Sequence, residues 1–180
     1  MVGITDYETF QEFLLTGEAW DDEAGCKLSD EYEQIISITD TPDPEEGAVL
    51  PPGGCALWEL LPEEYALHLV FDDIQVDDPN LGRTAPSLEN VQKIIDFARL
   101  GPETGRMLVH CSGGVSRSSA TALVYLCARG LSPQDAISVC LSAKAAIRPH
   151  RNLVALGDQL LGLEGTLLGA RDAIWGKPQT

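Results

Sequence analysis

One stretch, Arg106 to Ala122, constrains this chain more than any other: it reads R-M-L-V-H-C-S-G-G-V-S-R-S-S-A-T-A. Met107, Leu108 and Val109 form a short apolar run of buried-strand type, and Ala120, Ala122, Leu123 and Leu126 then recur at helical spacing. The segment Cys111 to Ser116 therefore joins a strand to the N-terminus of a helix running from about Ser116 to Ala128. Such a junction attracts anions. The first N–H groups of a helix have no partner, the macrodipole places partial positive charge there, and successive loop amides can curl into a concave nest. Gly113 and Gly114 suit this role, because glycine reaches positive φ and lets an anion approach without meeting a Cβ.

Two side chains add chemistry to the nest. The guanidinium of Arg117 is a planar fork able to hold two oxygens of one phosphate. Cys111 stands at the other end of the loop. The thiolate is the reactive form of cysteine, a helix N-terminus beside an arginine favours it, and a thiolate facing bound phosphorus is a nucleophile for phosphate ester cleavage. Ser112, Gly113, Gly114, Val115, Ser116 and Arg117 would then form the phosphate loop.

Charge is unevenly distributed about this loop. Residues 1 to 80 hold 21 of the 28 acidic residues and one of the 12 basic ones, Lys27, so the first part carries minus 20 and the remainder plus 4 within a net charge of minus 16. The anion loop lies in the weakly basic part. The acidic part reads as conferring solubility, with a surface for a basic partner as the other reading. A chain of this balance is a poor nucleic-acid binder, since a phosphate backbone requires a basic surface. No apolar run is long enough to cross a membrane and no export signal opens the chain, so a cytoplasmic, monomeric protein away from membranes is expected. The five cysteines, Cys26, Cys55, Cys111, Cys127 and Cys140, show no paired metal spacing and read as reduced thiols, with no metal site expected.

The length of 180 residues suits one domain, 1–180, with a long loop at 39–54 and a disordered tail at 176–180. Tyr7, Phe10, Phe13 and Leu14 predict a short helix over Thr5 to Leu15, and Asp21 to Glu33 reads as an acidic loop. Ile35, Ile36 and Ile38 predict a buried strand, as does Tyr65 to Phe71, where His68 reads as a core or face residue. This second strand runs into Asp72, Asp73, Asp77 and Asp78. Cleaving a phosphate ester requires a proton for the departing oxygen, and any of these four carboxylates could supply it.

Helices follow. Ser87 should cap one with Val91, Ile94, Ile95 and Ala98 on its buried side, stopped by Gly101-Pro102. Ser132-Pro133 should open another with Ala136, Val139, Cys140, Ala143 and Ile147 along one face. Cys127 and Cys140 read as small core residues. Asn152 is placed to cap a further helix; Arg148, His150 and Arg151 before it read first as surface charges and otherwise as residues lining the substrate approach, and Leu167 to Trp175 continues helically. Alternating strands and helices predict an α/β fold, a central mostly parallel sheet with helices on both faces and the anion loop at a strand's carboxyl end.

His110-Cys111-Ser112-Gly113-Gly114-Val115-Ser116-Arg117-Ser118 resembles the signature of the cysteine-dependent protein tyrosine phosphatases, and its G-V-S-R-S half is most similar to the dual-specificity subclass. The resemblance covers roughly Ile35 to Glu164 and is sharp at the signature. It implies Cys111 as nucleophile, Arg117 as phosphate clamp, Ser118 as the hydroxyl that stabilises the leaving thiolate, and His110 as a buried orienting residue. Phe71-Asp72-Asp73-Ile74 is similar to the family's acid position, which points to Asp73 as the general acid. The segment after Pro149 resembles the family's late helix, in which a proline and an asparagine come first, but places His150 and Arg151 between Pro149 and Asn152.

The implied activity is phosphate monoester hydrolysis through a phosphocysteine, without metal or organic cofactor, on a phosphorylated protein or a small phosphate ester. Inositide-directed relatives tend to carry bases inside the loop. This loop has none before Arg117, which favours phosphotyrosine or phosphoserine/threonine in proteins. The alternative is an inactive phosphate-binding module, which would keep the glycines and Arg117 without needing the acid. A low-molecular-weight phosphatase or arsenate reductase would carry its loop near the N-terminus, and a rhodanese-like sulfurtransferase has a shorter cysteine loop.

Overall fold

A computed structural model describes residues 2–5, 10, 20–21, 26–27, 32–42, 65–102 and 105–177. Four parallel strands form the sheet: β1 (Val2–Thr5), β4 (Gln34–Thr39), β5 (Ala66–Val70) and β6 (Met107–His110), in the order β1-β6-β4-β5. Two short strands, β2 (Trp20–Asp21) and β3 (Cys26–Lys27), pair antiparallel beside it in a two-stranded sheet. All four strands of the main sheet point the same way. The backbone leaving β4 at Asp40, β5 at Phe71 and β6 at Cys111 therefore emerges at one edge of the sheet, where ligands of open parallel sheets bind.

The register sorts the side chains by face. Val2 is opposite Met107 and Ile4 opposite Val109, while Gln34 and Ile36 pair with the same two residues of β6 from the other side. Val2, Ile4, Ile36, Ile38, Leu69, Met107 and Val109 all enter one buried cluster with residues of the helices. Gln34 is a polar member of this face, and its burial is satisfied: its amide donates to Phe97 C=O at 3.1 Å and accepts from Tyr125 Oη at 2.5 Å. On the opposite face, Phe10 stacks on the His110 ring with centroids 3.8 Å apart.

Five helices follow β5: α1 (Leu88–Leu100), α2 (Arg117–Ala128), α3 (Pro133–Ala143), α4 (Arg151–Leu160) and α5 (Thr166–Trp175). Their starts follow local chemistry. Ser87 and Asn90 form a reciprocal capping box at α1, with Asn90 N–H on Ser87 Oγ and Ser87 N–H on Asn90 Oδ1. Ser132 caps α3 before Pro133, which lacks the N–H that position would leave unpaired. Val91, Ile94, Ile95 and Ala98 of α1 are buried as their spacing predicts. Helix α2 is buried along nearly its whole length, from Arg117 to Cys127. Burial pushes the thiol of Cys127 up to about 11, with Asp158 adding to the shift, and that of Cys140 up to about 12, so both are inert core residues.

Several expectations are corrected. Thr5 closes strand β1, so the expected helix does not begin there; Phe10 is helical as predicted, and the rest of the 6–15 segment lies outside the described residues. Two short strands interrupt the acidic stretch read as a loop. Helix α3 ends at Ala143, which is exposed; Ile137 takes its place on the buried side, and Ile147 is buried from the connection beyond. The greater part of the 39–54 loop, and residues 178–180 of the expected tail, lie outside the described residues.

Gly157 marks a close approach between α4 and α2, since a Cβ there would stand 2.3 Å from Val124 Cγ2. Helix propensity favours alanine over glycine by up to about 1 kcal/mol. Overpacking against a stiff β-branched neighbour costs about 1–3 kcal/mol. Gly157→Ala is therefore expected to lower Tm by several degrees in thermal unfolding, with Val124→Ala in the same chain recovering part of the loss.

Candidate active site

Cys111 is the first residue beyond β6 and Arg117 the first of α2, so the six-residue step between them is set by the strand and the helix that flank it. Cys111, Arg117 and Ser118 are all buried, to 3%, 3% and 0% exposure. Cys111 Sγ lies 3.3 Å from Ser118 Oγ. As a thiol Cys111 donates in this contact; as a thiolate it accepts the Ser118 O–H. Of the two loop glycines only Gly114 adopts positive φ, at 61°, and a Cβ there would also strike Thr5 C=O at 2.7 Å. Gly113 stays out of the left-handed region, and a Cβ on it would meet nothing within 4 Å. Among the described residues, no hydrogen bond takes its donor from the amides of Ser112 to Arg117.

The guanidinium of Arg117 gathers three segments. Nη1 donates to Phe71 C=O at 2.7 Å and pairs with Asp40 Oδ1 at 2.8 Å, and Nη2 donates to Ser112 Oγ at 3.0 Å. Nε is buried without a partner among the described residues. Nε and Nη2 lie on the same edge of the group, the edge that takes two oxygens of an oxyanion. Asp40 also accepts from Ser112 Oγ at 2.9 Å. Sequence reasoning missed Asp40. It directly follows the strand Gln34–Thr39, and knowing that this strand lies parallel beside β6 would have brought it to the same edge as Cys111.

The four candidate carboxylates separate by their partners. Asp72 is buried and accepts from Thr84 N–H at 2.8 Å and Thr41 Oγ1 at 2.6 Å. Asp77 accepts from Ala85 N–H at 2.8 Å, and Asp78 from Asn80 N–H at 3.1 Å, so both brace their own loop. Asp73 alone of the four reaches the anion loop: its Oδ1 accepts from Ser116 Oγ at 2.7 Å and is 3.7 Å from His150 Nε2.

The late segment differs from its sequence reading. His150, directly after Pro149, caps α4, its Nδ1 accepting from Leu153 N–H at 3.3 Å. Asn152 lies inside the helix and donates to Gln75 C=O at 3.2 Å. His150 is 3% exposed and no surface charge; burial is the main cause that pushes its pKa down, so the ring is neutral at neutral pH. Arg151 pairs with Asp172 through two nitrogens. Arg148 is exposed as expected, while its N–H donates to Val115 C=O at 3.0 Å. A second residue missed in the sequence, the cation Lys144, reaches the loop from the end of α3: a Cβ on Gly114 would lie 2.6 Å from its Nζ. His68 is half-buried against Thr39 Oγ1 at 2.9 Å, away from these groups.

No family model matches the chain. It is 28% identical over 118 residues to protein phosphatase Slingshot homolog 3 of Rattus norvegicus, a match covering 64% of this chain and 17% of that protein. Among solved structures it resembles the PTP-2 phosphatase of Cydia pomonella, with a TM-score of 0.54, 18% identity and coverage of 88% of this chain and 84% of the other. It also resembles Tk-PTP in its active form, with a TM-score of 0.50, 18% identity and coverage of 89% and 90%. The parallel sheet, the loop between β6 and α2 and these similarities agree: the chain has the protein tyrosine phosphatase fold, and in sequence it is similar to a protein phosphatase of which it spans about a sixth of the length.

Proposed function

We propose that the chain hydrolyses phosphate monoesters through a phosphocysteine intermediate, with Cys111 as nucleophile and Asp73 as general acid. The observation that carries this reading is the buried Nε of Arg117, which has no partner among the described residues and lies on the edge of the guanidinium that also presents Nη2. A buried donor without an acceptor is costly, and a bound oxyanion supplies the missing acceptor. The free amides of Ser112 to Arg117 support the same conclusion, as does a nucleophilic sulfur at the start of the loop.

In the first step Cys111 Sγ attacks phosphorus in line, the P–O ester bond breaks, and Asp73 protonates the departing oxygen. Asp73 Oδ1 is already held by Ser116, which leaves Oδ2 to carry the proton. In the second step water attacks the phosphocysteine and Asp73 takes its proton. The P–S bond breaks, and Ser118 O–H stabilises the returning thiolate. Arg117 and the loop amides hold the equatorial oxygens through both steps.

The loop itself carries no base before Arg117, and against the one ammonium that reaches it among the described residues, Lys144 at Gly114, the carboxylates of Asp40 and Asp73 stand at its mouth. These oppose a polyphosphorylated substrate and favour a single phosphate on a protein, as phosphotyrosine or phosphoserine/threonine. The second reading, a phosphate-binding module without turnover, draws on the Asp40 carboxylate, which already occupies Arg117 Nη1.

Assay with an aryl phosphate decides between them. The native protein should turn over, and Cys111→Ser should abolish turnover while the protein stays folded; phosphate binding without turnover in the native protein would establish the module instead. Arg117→Lys should impair both KM and kcat, because an ammonium cannot reproduce the two-point grip, and unchanged kinetics would exclude the clamp. Asp73→Ala should lower kcat by about 10²–10⁴ for a poor leaving group and far less for a good one. The same pattern from Asp72→Ala, Asp77→Ala or Asp78→Ala would move the acid role to that residue.

A further inference from the structure

We infer that His150 is the positioning residue of Asp73: its imidazole ties the loop carrying the proton donor to the start of helix α4. This rests on the phosphatase reading and extends it to a residue outside the signature.

The argument starts from the tautomer. Nδ1 accepts the Leu153 N–H that begins α4, so the ring proton is on Nε2. Nε2 then donates to the C=O of Ile74 at 3.0 Å, one residue beyond Asp73; the Gln75 side-chain amide ends 3.0 Å from the same nitrogen, and beside an Nε2–H it presents its oxygen rather than its NH2. Asn152 holds the next carbonyl, that of Gln75. Two consecutive carbonyls immediately after Asp73 are thus gripped by the start of α4. The His150 N–H donates to Ser116 C=O at 3.1 Å, while Ser116 Oγ donates to Asp73. One residue therefore fixes the acid loop and the phosphate loop relative to each other, through a closed circuit of Asp73, Ser116 and His150.

The charge state suits the task. Three charged groups face the ring from three different segments: Asp73 beyond β5, Arg117 on α2 and Arg171 on α5. Burial outweighs the pull of Asp73 and keeps the ring neutral, and the two guanidiniums oppose its protonation further. A neutral N–H donor can orient the loop beside Asp73 without an ion pair that would hold the acid as carboxylate. A lysine or arginine here would stabilise the anion and remove the proton that the leaving group needs.

His150→Asn separates positioning from helix capping. Asparagine keeps an acceptor where Nδ1 sits, so α4 remains capped, and has no atom at the place of Nε2. The expected result is a folded protein with Tm lowered by a few degrees, from the lost ring and the freed Ile74 carbonyl, and kcat for phenyl phosphate at a temperature well below Tm reduced about ten- to hundredfold, a loss of the size that misplacing a reacting group causes. The loss for p-nitrophenyl phosphate should be much smaller, and KM should move little. In an Asp73→Ala background, His150→Asn should produce no further loss. Equal loss on both substrates, loss additional to that of Asp73→Ala, or no loss at all would overturn the inference and leave the phosphatase reading intact. Absence of turnover by the native protein would overturn the phosphatase reading itself, and this inference with it.

Discussion

A guanidinium buried to 3% exposure must be compensated on every side, and the environment of Arg117 is organised by that requirement. Its partners arrive from the carboxyl ends of two strands, Asp40 after β4 and the Phe71 carbonyl after β5, and from Ser112 in its own loop. Because β4, β5 and β6 run parallel, all three contributions reach the same edge of the sheet. Among the described residues Nε alone of the three guanidinium nitrogens has no acceptor, on the edge it shares with Nη2, which donates to Ser112 of the loop. Removing the charge would free three loops at once; completing its coordination is what a substrate phosphate would do.

Behind this edge a second layer holds the late segment in place. Asp158, buried near the end of α4, accepts from the N–H groups of Gly165, Leu167 and Leu168 at 2.6, 2.7 and 2.9 Å. A carboxylate at those donors opposes the positive end of the α5 dipole, and it supplies the cap that Gly165, without a side chain, cannot. Helix α5 in turn sends Arg171 to the Pro149 carbonyl at 3.0 Å, next to His150. Helix α5 thus bears on Pro149, next to the residue that holds the Ile74 carbonyl. Precision in a proton donor depends on such support, because its rotamer and loop must already be set when charge develops on the leaving oxygen.

Much of this fold was legible in the chain because its signals are local. The period of Val91, Ile94, Ile95 and Ala98, the capping residues Ser87 and Ser132, and the strand-loop-helix at Arg106 to Ala122 each depend on neighbours within a few positions. The misreadings share another origin. Val2 to Thr5 is too short and too mixed to announce a strand, and becomes one by pairing with β6, a hundred residues away. Asn152 is a better cap than histidine by propensity. It lost the place to His150 because the backbone after Pro149 is tied to Ser116, which fixes where the helix can begin.

The sequence by itself determined that a cysteine and an arginine flank a glycine-containing loop at a helix start, since spacing and backbone preference are properties of contiguous residues. Tertiary structure alone decided which of four nearby aspartates meets that loop, that Asp40 arrives from another strand, and that a histidine read as surface charge is buried against the acid loop. The reason is physical: a side chain's charge state and partners depend on what the sheet order and helix packing bring within 3 to 4 Å of it, and no local pattern encodes that distance.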